Sequence, residues 1–265
     1  MGNKIVNTAI KIIFTAGLCL YSFSAVSAST KQDIKALQEA IADLKEAQVA
    51  MQKDLAEVKK LMKNNARAAP AKAAFREQDV SIGDSPVIGD AKATITLIEF
   101  SDYQCPYCSR HYRDVMPQIV KDYVDTGKVK YVMFENPIPS LHKNAYNASL
   151  AALCAKDQDQ YWEMHNIMFA NQKALDVDGL KAFAASIGLN SSEFDTCLDS
   201  KKYEKQINSN LATASKLGVR GTPGFVLGLT DPKDPGKAKI SVYIKGAQAI
   251  GRFKADIGQL LDSAK

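Results

Sequence analysis

Cys105-Pro106-Tyr107-Cys108 constrains the local fold more than any other four residues of the chain. An apolar run, Thr94-Ile95-Thr96-Leu97-Ile98-Glu99-Phe100, leads into it, and a helix-compatible stretch from Ser109 to Val124 follows. Strand, tight turn, CxxC and helix place the first thiol at a helix N-terminus. There the free backbone N–H groups and the helix dipole favour a thiolate, the species that attacks disulfides. This is the layout of a thiol–disulfide redox centre. CxxC also begins many zinc ribbons, but a zinc site needs a second ligand pair, and the sequence has no second CxxC and no HxxxH. His111, His142 and His165 are scattered without ligand spacing and read as ordinary surface or partly buried residues. No metal and no cofactor is expected.

The N-terminus speaks to compartment. Lys4 and Lys11 precede or enter a short apolar run, Ile12 to Tyr21, too short to span a bilayer as a helix. Val26-Ser27-Ala28 resembles a small-residue cleavage site before Ser29, so residues 1–28 read as a secretory signal, with a retained anchor as the alternative. Cleavage would remove Cys19 and leave four cysteines in a disulfide-permissive compartment. It would also lower the formal charge from +5 to +3 by loss of the two lysines. That mild, dispersed charge gives no reason to expect nucleic acid, and no Gly-rich phosphate loop occurs. The expected location is a bacterial periplasm, with membrane or surface association as a further option.

Residues 29–64 form a compositionally separate segment. From Lys31 to Lys63 it contains no Gly, Pro or aromatic residue and is rich in Ala, Lys, Glu, Leu and Gln. Ile34, Leu37, Ile41, Leu44, Met51, Leu55, Val58 and Met62 follow an unbroken three–four spacing if Gln48 takes the remaining core position. One polar core residue is a known device for fixing register and oligomer state. Asp54 and Lys59 fall at g and the following e, where parallel chains can pair charges. At ~1.5 Å per residue the helix would be about 50 Å long. A narrow apolar stripe on so long a helix is most simply buried by another copy, as a dimer or trimer through residues 31–63; folding back on its own domain is the competing arrangement. Residues 65–78, small, polar and proline-containing, read as a linker.

Residues 79–265 are long enough for one well-buried domain. Strands are expected near Asp79–Ile82, at Thr94–Ser101, Lys128–Phe134, Phe225–Leu227 and Ile240–Tyr243, and a last helix from Ala249. Between the third and fourth strands lies a helical block from about 140 to 217. The fold class is therefore α/β, a sheet interrupted by a helical insertion.

Three stretches in order now carry a resemblance. They are Gly83-Asp84-Ser85-Pro86-Val87-Ile88-Gly89-Asp90 leading to Glu99-Phe100-Ser101-Asp102-Tyr103-Gln104-Cys105-Pro106-Tyr107-Cys108, then Gly218-Val219-Arg220-Gly221-Thr222-Pro223-Gly224-Phe225, then Tyr243-Ile244-Lys245-Gly246-Ala247-Gln248. The chain resembles the DsbA-like thiol:disulfide oxidoreductases of the thioredoxin superfamily, and with its stalk is similar to the ScsC and Com1 groups. The resemblance implies a thioredoxin fold with Cys105 as the exposed nucleophile and Cys108 as the resolving thiol. Pro106 and Tyr107 would tune the thiolate. Thr222-Pro223 would be a cis-proline loop offering backbone to an extended client, and Glu99 a buried acid assisting proton movement at Cys108. Cys154 and Cys197 read as a structural disulfide tying two insertion helices, with a second redox pair and two buried free thiols as the alternatives. Tyr161, Trp162, Met164 and Phe169 read as core.

The implied partners are cysteine-containing exported proteins and a membrane redox partner. Stalk and Thr222 favour isomerase activity; CPYC and the insertion allow dithiol oxidase activity of the DsbA type. A surface scaffold or antigen that merely uses the fold is the alternative from another class.

Overall fold

A computed structural model describes residues 34–57, 59 and 77–265. The chain divides into two units, Met1–Ala73 and Ala74–Lys265. In the first, residues 34–57 form one helix, α1. Its heptad residues Ile34, Leu37, Ile41, Leu44, Met51 and Leu55 are all exposed, from 46% at Ile41 to 70% at Leu44. Val58 and Met62, the signal segment and most of the linker lie outside the described residues.

The second unit is built on a six-stranded mixed sheet. Its strands are β1 (Gln78–Ser81), β2 (Val87–Ile88), β3 (Ile95–Ser101), β4 (Val129–Glu135), β5 (Gly224–Thr230) and β6 (Lys237–Lys245), in the order β1-β6-β5-β3-β4-β2. β3 and β4 pair in parallel and every other pair is antiparallel. The two-residue strand β2 was not anticipated from sequence; it covers the β4 edge. β3 and β4 are buried along their whole length, as expected of central strands covered on both faces. β5 slips register at Leu227/Gly228, and only glycine fits there, because a Cβ on Gly228 would stand 1.9 Å from the Lys239 carbonyl oxygen.

The helix expected from Ser109 to Val124 is broken. α2 (Pro106–Asp114) stops at Val115, whose φ of −121° is not helical, and α3 (Met116–Ile119) restarts before a π turn at Val120–Val124. Pro117 supplies the reason: it has no N–H to give the preceding turn. Five helices make the insertion: α4 (Ala145–Lys156), α5 (Tyr161–Ala170), α6 (Val177–Ser186), α7 (Ser191–Asp199) and α8 (Glu204–Lys216). α4 is apolar on nearly every side and runs through the insertion as its core. Asp176 and Asn190 cap α6 and α7 by accepting backbone N–H groups. α9 (Ile250–Ser263) closes the chain.

Three apolar clusters result. Ile95, Leu97, Tyr131, Phe225, Phe253 and Ile257 fill the face under α2 and α9. Ile98, Phe100, Val132, Phe134 and Leu217 fill the opposite face. The third cluster, led by Leu150, Leu153, Met164, Phe169 and Phe194, is the insertion's own, and it runs without interruption into Cys105 and Cys108. Tyr161, Met164 and Phe169 belong to it and Trp162 packs on it. The α/β thioredoxin class with a helical insertion, anticipated from sequence, is the architecture found.

Candidate redox site

Cys105 is the N-cap of α2, with extended backbone (φ −71°, ψ 121°), and Pro106 opens the helix. Cys105 N–H donates to the Asp102 carbonyl at 3.0 Å, and its own carbonyl accepts from Ser109 N–H at 3.1 Å. Cys108 lies one turn on, fully buried. Both thiols are free. Tyr107 is 57% exposed, and the Arg110 guanidinium sits 5.3 Å over its ring.

The Thr222–Pro223 bond is cis, and its loop faces the cysteines. The Cys105 thiol donates to the Thr222 carbonyl at 3.4 Å. Thr222 Oγ1 is buried in the same loop. The Cys105 thiol is drawn down to about 6, first by a hydrogen bond from Cys108, then by Thr222 and the Cys108 and Tyr107 N–H groups, against opposing burial. The Cys108 thiol is pushed up, by burial first and then by its bond to Cys105. The two sulfurs thus divide the work: one holds charge, the other holds the proton.

Cys105 was expected to be exposed; it is 4% exposed. The Thr222 loop and the insertion's apolar cluster cover it.

Glu99 is buried in the sheet face under α2. Tyr131 O–H donates to its Oε2, and His111 Nε2 stands 3.0 Å from the Tyr131 hydroxyl and 3.8 Å from Glu99. Burial raises the Glu99 carboxyl to about 7, against the pull of Tyr131 and Ser101. His111 contradicts its reading as a surface or partly buried residue: it has no exposed area, and its ring packs 4.4 Å from that of Phe225. Burial, with the nearby His165, holds it neutral, down to about 3, so its contact with Glu99 is not an ion pair. His165 is also fully buried, among Tyr103, Tyr112, Trp162 and Phe169. An apolar setting, not spacing, decided both.

The turn before Cys105 is braced by groups that sequence reasoning passed over. The Asp102 carboxylate accepts from Gln104 N–H and Ile138 N–H, each at 2.8 Å, and from His142 Nδ1 at 2.9 Å. Tyr103 O–H reaches Tyr161 at 3.0 Å and Glu135 at 3.4 Å, and Tyr161 donates to Glu135 at 2.6 Å. Burial lifts Glu135 to about 7 as well. Cys154 on α4 and Cys197 on α7 are joined by a disulfide, with Cα atoms 5.8 Å apart. No group of His, Cys, Asp and Glu among the described residues could hold a metal ion.

A family profile described as Thioredoxin matches residues 81–239. Among curated relatives, the chain is 28% identical over 174 residues to a Na(+)/H(+) antiporter NhaA 3 of Salinispora tropica, covering 65% of this chain and 26% of that protein. It is 29% identical over 155 residues to disulfide bond formation protein D of Bacillus subtilis, covering 54% and 67%. The chain therefore spans about a quarter of the first relative and two thirds of the second. Among solved structures, the Wolbachia pipientis α-DsbA1 crystal structure superposes with a TM-score of 0.59 at 27% identity, covering 69% of this chain and 93% of that one.

Proposed function

The chain belongs to the thioredoxin family, and from that premise we propose that it is an exported thiol–disulfide oxidoreductase that makes and rearranges disulfides in client proteins. One observation carries the reading: Cys105 caps α2 with its thiol against the Thr222 carbonyl of the cis Thr222–Pro223 bond and held near 6, beside a Cys108 held protonated.

The chemistry balances on sulfur alone. In isomerisation the Cys105 thiolate attacks a client disulfide; a Cys105–client bond forms, the client S–S breaks, and a client thiolate leaves to attack elsewhere. Cys108 releases a stalled client by giving its proton to Glu99 and attacking Cys105. The Cys105–Cys108 bond forms, the Cys105–client bond breaks, and the client leaves as a thiolate, two electrons reduced. A dithiol donor must then reduce the enzyme again before the next isomerisation. In oxidation the order reverses: a client thiolate attacks Cys105 of the Cys105–Cys108 disulfide, Cys108 leaves as a thiolate and is protonated, and a second client thiolate frees Cys105. Two electrons then rest on the enzyme, and a membrane redox partner removes them. Glu99, near neutrality in its pKa, is suited to both directions. Thr222-Pro223 would pair with the client backbone, Pro106 and Tyr107 would tune the thiolate, and Cys154–Cys197 would tie the insertion together.

We place the balance toward isomerase activity, in an oligomer joined through residues 31–63. The six exposed heptad residues of α1 support this, because an apolar stripe on an otherwise polar helix is buried by like helices. The likeness to α-DsbA1 favours a second reading, a DsbA-type oxidase acting as a monomer. Mature protein from Ser29 should recover activity of scrambled ribonuclease, and removing residues 29–64 should give a monomer with more oxidase character. Rapid oxidation of reduced ribonuclease with no rescue of the scrambled form would leave the oxidase reading standing. A scaffold or antigen would keep its function when Cys105 is replaced.

A further inference from the structure

Gln172 sits in the turn between α5 and α6, 67 residues from Cys105 in sequence, and its side-chain amide reaches the redox turn. Nε2 donates to the Tyr103 carbonyl at 2.7 Å and to the Cys105 carbonyl at 3.0 Å. Both partners are acceptors only, so the nitrogen end of the amide must face them, and both its N–H bonds are used. The turn that presents Gln172 is itself fixed: Asn171 N–H donates to Met168, Ala174 N–H to Asn171, and Leu175 is fully buried. The reach is therefore set by the fold of the insertion, not by a free side chain.

The two carbonyls flank Gln104, within the turn that carries Cys105 into its N-cap. Their oxygens are negative ends of peptide dipoles close to a sulfur that functions as an anion. An amide NH₂ placed against both offsets them and holds the peptide planes that aim α2's N-terminus at Cys105.

We propose that Gln172 is a positioning residue for the redox centre, through which the helical insertion holds the Cys105 turn in its thiolate-stabilising form. The inference rests on the oxidoreductase reading for its consequence: without the clamp the Cys105 thiolate is less favoured, so the dithiol form is less stable relative to the disulfide and the protein is a weaker oxidant.

The test uses mature protein carrying Gln172→Met, which keeps length but not the donors, and Gln172→Glu, which keeps shape but presents an acceptor. Two readouts apply: the pH titration of Cys105 thiolate by ultraviolet absorbance, and the equilibrium of the Cys105–Cys108 couple with glutathione. Both variants should titrate at higher pH than the parent. The glutathione equilibrium should move toward the disulfide roughly threefold for Gln172→Met and about tenfold for Gln172→Glu, the latter about 30 mV. Folded variants that titrate and equilibrate like the parent would overturn the proposal, since a packing role alone moves thermal stability but neither readout. If Gln172→Met fails to fold, Gln172→Glu decides. If the parent protein does not exchange with glutathione, the oxidoreductase reading falls, while the thiolate titration still judges Gln172.

Discussion

Two pairs of cysteines occupy one domain and are held in opposite ways. Cys105 and Cys108 share one helix end, two residues between them, with their thiols free. Cys154 and Cys197 lie 43 residues apart on α4 and α7, already bonded and set in the insertion. Both pairs are buried. Exposure therefore does not separate the redox candidate from the bonded pair. What separates them is charge: Cys105 has backbone N–H groups, the Cys108 thiol and Thr222 ready for an anion, whereas Cys154 lies in the last turn of the apolar helix α4, where the negative end of the helix dipole disfavours one.

The sharpest way to break this contrast is to remove each pair in turn. Cys105→Ser should reduce thiol–disulfide exchange to the uncatalysed background, measured with reduced and scrambled ribonuclease. The double change Cys154→Ala, Cys197→Ala should leave exchange within about twofold, because neither sulfur is in the Cys105 turn. Its cost should appear in stability instead. Cross-linking a loop of this separation is worth about 3–4 kcal/mol through the unfolded chain, so denaturant unfolding should move by that amount. Loss of exchange without loss of stability would mean that the second pair handles electrons.

The two pairs also differed in how far the sequence exposed them. CPYC could be picked out because its signal is local: an apolar strand, a turn and a proline at the first helical position lie within fifteen residues. The central strands were equally plain, since Ile95–Ser101 and Val129–Glu135 are rich in β-branched and aromatic residues. Spacing left the state of Cys154 and Cys197 open, because nothing local reports the distance between α4 and α7. For the same reason most of what surrounds Glu99 and the Cys105 turn went unread. Tyr131, His111 and Gln172 come from a neighbouring strand, the next helical turn and the insertion, with no spacing rule linking them. Pro117 could have announced the break after α2, but the apolar pattern on either side masked it.

A pH experiment sharpens the contrast within the reactive pair. Alkylation of the dithiol form by iodoacetamide should follow the Cys105 thiolate, half-maximal near pH 6 and falling about tenfold per unit below it. Cys108 should stay unmodified through that range, its thiol being held above the ordinary value. Cys105 is depressed on folding, so its contribution to dithiol stability is complete above the ordinary thiol range and is lost as pH falls through about 6. The oxidised form carries no such term, so the gap between the two forms should widen from pH 6 to 8. A gap that does not change with pH would show that the N-terminus of α2 does not stabilise the thiolate.

The smallest effect should come from Glu99, and it separates a proton carrier from a structural acid. A carboxyl raised to about 7 prefers its neutral form in the fold. It therefore costs nothing below the unfolded carboxyl range, costs progressively more as pH rises toward 7, and costs its full amount above. Glu99→Gln keeps an acceptor for Tyr131 and removes the charge. The variant should match the parent at pH 4 and exceed it at pH 8 by on the order of 2 kcal/mol in denaturant unfolding. The same change should slow release of a mixed disulfide by Cys108 several-fold at pH 7, since Cys108 loses a nearby buried carboxylate able to take its proton, while attack by Cys105 stays near the parental rate. If the variant gains stability but releases the mixed disulfide at the parental rate, Glu99 serves only the sheet, and the proton leaves Cys108 by a path that avoids it.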